Sequence, residues 1–187
     1  MEQAKREPAR TTSKAGIRRK KVSLSVWWDY EGIVYFELLP PNRTINSVVY
    51  IEQLTKLNDA VEEKRAELTN RKGVVFHRDD ARPRASLVTR QKLLELGWDV
   101  SPRPPYSPDL APSDYFLFRS LQNSSNDKNF NNDGDIKSYL IHFFANKNHK
   151  FYEREITMLP ERWQKVKWAT HYGIKLFSST KILSLIF

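Results

Sequence analysis

Residues 22–28 alternate along the chain: Val22, Leu24, Val26 and Trp28 face one way, Ser23, Ser25 and Trp27 the other. Period two predicts a strand. Residues 29–32 are Asp-Tyr-Glu-Gly, a turn with a permissive glycine. Residues 33–39 are branched and aromatic and predict a second strand, so the two form an antiparallel hairpin that Pro40-Pro41-Asn42 ends.

The period then changes. Ile51, Leu54, Leu57, Val61 and Leu68 make a helical stripe, capped by Asn46 or Ser47, with Glu62, Glu63, Lys64 and Arg65 outside. Residues 74–76 are a short apolar run, the mark of a central strand buried on both faces. Residues 84–96 predict a helix that offers Leu87, Val88, Leu94 and Leu96 for burial and stops at Gly97. Residues 98–100 predict one more strand. Strand, helix, strand with short links implies a right-handed crossover and parallel pairing.

A proline-rich stretch, 102–112, leads to a helix that begins near Asp114. Residues 122–134 are polar and Asn-rich and predict a surface loop. Asp135 is expected to cap a helix whose Ile136, Tyr139, Leu140, Phe143 and Phe144 share one face. A helical turn at Phe151-Tyr152 and a last helix at 159–163, entered through Pro160, complete a mixed α/β domain with a small central sheet.

Composition narrows the class. The 187 residues fit one domain, and 40% apolar residues with 5 Trp, 8 Tyr and 10 Phe suffice for a core. A net charge of +9 favours a polyanionic partner, nucleic acid before an anionic membrane surface. The first 21 residues hold eight Lys or Arg against two Glu and one large aliphatic residue, Ile17. They predict a flexible basic arm in which Arg18, Arg19, Lys20 and Lys21 suit a DNA backbone or a nuclear-import receptor; a solvated tail is the bland alternative. The absence of cysteine removes disulfides, thiolate metal sites and cysteine nucleophiles, and suits an intracellular protein. No run of 18 apolar residues exists to form a membrane span, and no signal-peptide core opens the chain.

Two acidic residues bracket the middle of the chain. Asp79 follows the apolar strand, and Asp114 follows the proline-rich stretch, with 34 residues between them. Ligands gather at the carboxyl ends of parallel strands, and phosphodiester chemistry with divalent metals requires converging carboxylates. A turn aspartate and a helix cap explain the same two residues more simply, because Asp commonly fills both roles.

The strings Val-Trp-Trp-Asp (26–29), His-x-Asp-x-Ala-Arg-Pro (77–83), Tyr-Ser-Pro-Asp-Leu-Ala-Pro-Ser-Asp-Tyr (106–115) and Leu-Pro-Glu-Arg-Trp (159–163) decide between them. Together they resemble the catalytic domain of mariner transposases, over about residues 3–166, and the 34-residue spacing is that family's hallmark. The chain is also similar to the mariner-derived half of the SET-domain histone methyltransferase fusion. The resemblance implies a ribonuclease-H-like fold and three Asp that bind two Mg²⁺ or Mn²⁺. It implies DNA cleavage and strand transfer in the nucleus, on transposon ends and target DNA, by a homodimer. Asp79 matches the second catalytic Asp and metal ligand, Asp114 the third, and Arg82 joins the basic arm as a DNA contact.

The departures shape the expectation. Asp80 stands where the family has Asn, Arg84 and Arg103 where it has His, and Ser101 where it has Leu. The family's first strand and its Asp precede the point where this chain begins, and Asp29 does not replace that Asp. Beyond Val166 the chain leaves the family pattern, so 167–187 is expected to be a divergent tail. Loss of a central first strand predicts bare sheet edges and marginal stability. The expected function is that of a transposase fragment without effective catalysis. The alternatives are a DNA-binding or dimerising remnant that pairs with an intact transposase, and an unselected pseudogene product.

Overall fold

The computed structural model describes residues 19–40, 43–67, 74–78, 82–101, 110–126, 128–165 and 175–186. β1 (Arg19–Trp28) and β2 (Ile33–Leu39) form the expected antiparallel hairpin, with a bulge between Trp27 and Trp28. At its turn Gly32 takes φ +143°, and its N–H, with that of Glu31, donates to Asp29 Oδ1. Helix α1 (Ser47–Lys64) starts at Asn46, whose side chain accepts the Val49 N–H at 2.9 Å. Then come β3 (Val75–His77), α2 (Arg82–Ala85), α3 (Leu87–Glu95) and β4 (Asp99–Ser101). β3 and β4 pair in parallel, as the crossover requires.

A π-helical turn, Ser113–Leu117, continues into α4 (Phe118–Ser125). Three more helices follow: α5 (Asp133–Ala145), α6 (His149–Thr157) and α7 (Leu159–Lys165). The last element is β5 (Lys175–Ile186).

The sheet order is β2-β1-β5-β3-β4. β5 runs antiparallel to β1 along its whole length and parallel to β3. The inner edges of β1 and β3 are therefore paired, which corrects the expectation of bare edges, and 175–186 is an element of the sheet. The arm is also shorter than expected, because Arg19, Lys20 and Lys21 already belong to β1, opposite Ile186, Leu185 and Ser184.

Each face of the sheet carries its own core. Trp27, Val34, Tyr50, Leu54, Leu57, Val61, Phe76, Leu93 and Trp98 pack β1–β4 against α1 and α3. Val22, Leu24, Val26, Trp28, Phe118, Leu121, Ile136, Leu140, Phe144 and Tyr152 pack the opposite face under α4–α7. The result is a helix–sheet–helix sandwich. Both sides of β1 are buried: Ser25 is covered by α1, where Gln53 Nε2 donates to its Oγ at 3.3 Å.

Three local expectations are corrected. Helix 84–96 is two helices, broken at Ser86, which caps α3 by accepting the Thr89 N–H. The restart points Thr89 and Leu93 inward, four residues apart, and leaves Leu87 at 82% and Leu94 at 78% exposure. Asn132, not Asp135, caps α5; Asp135 sits in the first turn and accepts the Asn131 N–H. The polar 122–134 stretch is shorter as a loop, since α4 runs to Ser125 and α5 begins at Asp133.

Candidate active site

Two segments meet at one end of the sheet. β3 ends at His77, two residues before Asp79 in the sequence, and Asp114 lies in the first turn of the π-helix. The buried His77 ring joins them: its Nε2 lies 3.3 Å from the Leu110 carbonyl oxygen. A carbonyl only accepts, so this contact requires the tautomer with the proton on Nε2. A second tie comes from β1, where Trp28 Nε1 donates to Ser113 Oγ at 2.9 Å in a buried contact. The Asp114 turn is thus pinned to the ends of both β3 and β1.

The turn has structural reasons for its shape. Leu110, Ala111 and Ser113 are buried, and the Asp114 N–H donates to Ala111 O at 2.8 Å. Leu117 and Phe118 anchor the following helix in the core. Pro112 fixes the entry to the helix. π-helical turns are rare and recur at functional sites, because the extra residue re-aims side chains. Asp114 itself is half-buried.

Cationic groups lie close by. Arg78 is buried and its Nη1 donates to the Arg84 carbonyl oxygen; Arg84 is buried too, its guanidinium 5.7 Å from the centre of the Tyr50 ring. On the far side of the turn Arg162 lies 4.2 Å over the Tyr115 ring. Burial pushes the Tyr115 hydroxyl up to about 12; Arg162 opposes the shift and Glu155 adds to it.

Comparison with known proteins places the chain in a family. A protein-family model described as transposase (partial DDE domain) matches residues 3–71. The mariner Mos1 transposase of Drosophila mauritiana is 41% identical over 160 residues, which is 85% of this chain and 46% of that protein. The human histone-lysine N-methyltransferase SETMAR is 38% identical over 149 residues, 80% of this chain and 22% of its own length. The solved catalytic domain of Mos1 transposase with Raltegravir and Mg superposes with a TM-score of 0.76 at 40% identity, covering 81% of this chain and 78% of that one. The chain belongs to the mariner transposases. It has their catalytic domain's ribonuclease-H-like fold, and it spans about half the length of Mos1.

Within this transposase fold, Asp29 has a different part from Asp114. It is fully buried and engaged on every side: Arg65 Nε donates to Oδ2 at 2.7 Å, Arg65 Nη2 to Oδ1 at 3.2 Å, and two turn amides to Oδ1. A forked guanidinium–carboxylate pair of this kind fixes the hairpin turn to the end of α1.

Asp79, Asp80, Arg103 and Arg18 lie outside the described residues. Arg19, Lys20 and Lys21 take their backbone positions in β1, and Arg82 opens α2, the element that follows β3 in the chain. Sequence reasoning missed His77, Trp28, Ser113 and Arg65. His77 and Trp28 stood inside the motif strings, and nothing in their spacing announced that they brace a turn 33 and 85 residues away.

Proposed function

We propose that this chain is the DNA-handling catalytic domain of a mariner-type transposase, and that Asp79 and Asp114 are its two metal-ligating carboxylates. The observation that carries the reading is the His77–Leu110 contact, which joins the strand leading to Asp79 to the turn bearing Asp114. Two aspartates and solvent suit Mg²⁺ or Mn²⁺, which take oxygen ligands and keep some of their waters. A bound ion would supply Lewis acidity at a phosphodiester, and Asp79 and Asp114 would hold it. Structures of Mos1 with Mg and with Mn support the choice of metals.

Significant cleavage and strand transfer by this chain are not expected in this reading. The strand at the centre of the sheet, β5, contains no Asp or Glu, so no third carboxylate comes from it. DNA binding persists, nonspecific and electrostatic, through Arg18, Arg19, Lys20, Lys21 and Arg82. Mos1 complexes with a transposon left end and a pre-cleavage transpososome support DNA as partner. Paired-end assembly in that relative supports a homodimer, or a dimer with an intact transposase, in the nucleus.

Two titrations test this. Mn²⁺ affinity of the full chain is expected to fall at least tenfold in Asp79→Asn and in Asp114→Asn, with unfolding midpoints unchanged (tenfold is about 1.4 kcal/mol). Affinity for a random duplex is expected to fall steeply between about 50 and 200 mM salt, with a shallower slope after alanine replaces Arg18, Arg19, Lys20 and Lys21. Metal binding indifferent to both aspartates sinks the site assignment, and salt-independent DNA binding sinks the electrostatic mode.

A further inference from the structure

β5 is the one strand, among the described residues, that joins the two halves of the sheet. All ten residues of β1 pair with it, from Arg19 opposite Ile186 to Trp28 opposite Phe177. On its other side Lys175–Phe177 pairs in parallel with Val75–His77. β1 and β3 are not neighbours in the sheet, and among the described strands this is the one that lies between them. It also touches the π-helical turn that carries Asp114 and the helix that follows it.

The sequence that fills this position is unusual for it. Residues 175–186 lie beyond Val166, where the transposase family pattern stops. They hold four residues of Ser or Thr and two Lys, with no Pro, Gly or acidic residue. Central strands are ordinarily near-continuous apolar runs. What qualifies this segment is its backbone: every N–H is available, and the ladder on β1 is antiparallel while that on β3 is parallel. Two ladders of opposite sense admit a strand in one direction only.

We propose that the slot between β1 and β3, which Lys175–Ile186 fills as the central strand, is a strand-acceptor site. The slot takes this segment in cis, and takes the same sequence in trans when the cis strand is disabled. The inner edges of β1 and β3 lie between two apolar cores, where backbone groups left unpaired are strongly disfavoured. The slot therefore recognises an extended segment by main-chain hydrogen bonding, as sheets do when they add a strand. Completion of the sheet in this way holds β3 and the Asp114 turn in one frame without contributing a carboxylate of its own.

The inference concerns the fold and is tested without metal or DNA. In the full wild-type chain, amides of residues 176–185 are expected to exchange at least 100-fold more slowly than in the free peptide. Exchange at free-peptide rates overturns the assignment. Ser179→Pro removes a ladder donor in mid-strand, which a central strand does not tolerate. A fluorescent peptide of residues 175–186 is expected to bind the full-length Ser179→Pro chain at least tenfold more tightly than wild type. It should also restore the emission of the buried Trp27 and Trp28, and a scrambled peptide should not. If the variant does not fold alone, recovery of that emission by the native peptide supports the site. Equal binding to wild type, equal binding of the scrambled peptide, or no recovery overturns it.

Discussion

The Nε2 of His77 lies 3.3 Å from the Leu110 carbonyl oxygen, in the interior between the end of β3 and the turn of Asp114. The two residues are 33 apart in sequence, and each adjoins one acidic position: His77 precedes Asp79 by two, and Leu110 precedes Asp114 by four. The contact is a brace between the two proposed ligand-bearing segments. His77→Ala leaves a buried carbonyl without this donor, a loss of about 1–3 kcal/mol. Urea unfolding is expected to show that loss, and Mn²⁺ affinity is expected to fall with it. His77→Gln, which keeps an N–H donor, should recover part of both. Undiminished Mn²⁺ affinity in a folded His77→Ala chain would rule out the bracing role.

Arg65 and Asp29 make the opposite prediction, a large effect on stability and none on metal. The Asp29 carboxylate has no exposed surface, and the Arg65 side chain is 13% exposed. Truncation of one partner in such a pair strands the other charge and costs about 3–5 kcal/mol. Arg65→Ala is expected to lower the urea midpoint accordingly, and Arg65→Lys, without the fork, to lie between the variant and wild type. The pair sits at the hairpin turn, so Mn²⁺ affinity in the folded fraction should stay at the wild-type value. A metal-binding defect there would mean that Asp29 belongs to the site after all.

The hairpin, the first long helix and the crossover were legible in the sequence, because each rests on local signals. Alternation in 22–28, the Asp29–Gly32 turn and the helical stripe from Ile51 to Val61 fix conformation within a few residues. The caps were less legible: Asn132 and Asp135 are both good N-caps, and only the position of the first turn separates them. Leu93 against Leu94 was decided by the break at Ser86, which shifts the phase of the helix. β5 was illegible as a central strand, since strand identity depends on what lies beside it. Nothing local in residues 175–186 tells of β1 or β3. His77, Trp28 and Ser113 escaped for the same reason, as their roles are contacts between distant segments.

Two tyrosines with buried hydroxyls predict how the fold responds to alkali. Burial raises the hydroxyl of Tyr115 to about 12 and raises that of Tyr152 as well. Both groups have higher folded than unfolded values, so the native state holds its protons where the unfolded chain has released them. Stability is therefore complete below pH 10 and falls as pH rises from 10 towards 12. Urea midpoints at pH 9 and 11.5 should differ, and the difference should shrink in Tyr115→Phe and again in the double variant with Tyr152→Phe. A difference untouched by both replacements would assign the alkaline loss to other groups.

The proposed shortage of carboxylates can be tested by supplying one. β5 pairs Phe177 with His77 on one side and with Trp28 on the other, so Ser178 and Ser179 are the next residues along the strand in the direction of β3. Successive residues of a strand point to opposite faces. One of Ser178→Asp and Ser179→Asp should therefore meet the Asp79–Asp114 pair, and the other should enter the opposite layer. Exactly one of the two is expected to tighten Mn²⁺ binding, by about tenfold or more, equivalent to 1.4 kcal/mol. The gain should vanish when Asp114→Asn is added, which separates a shared ion from a new surface site. The metal-tightening variant is also the one expected to gain metal-dependent nicking of duplex DNA. Equal gains in both variants would mean nonspecific charge, and no gain in either would mean that the carboxyl end of β3 is not where the missing ligand belongs.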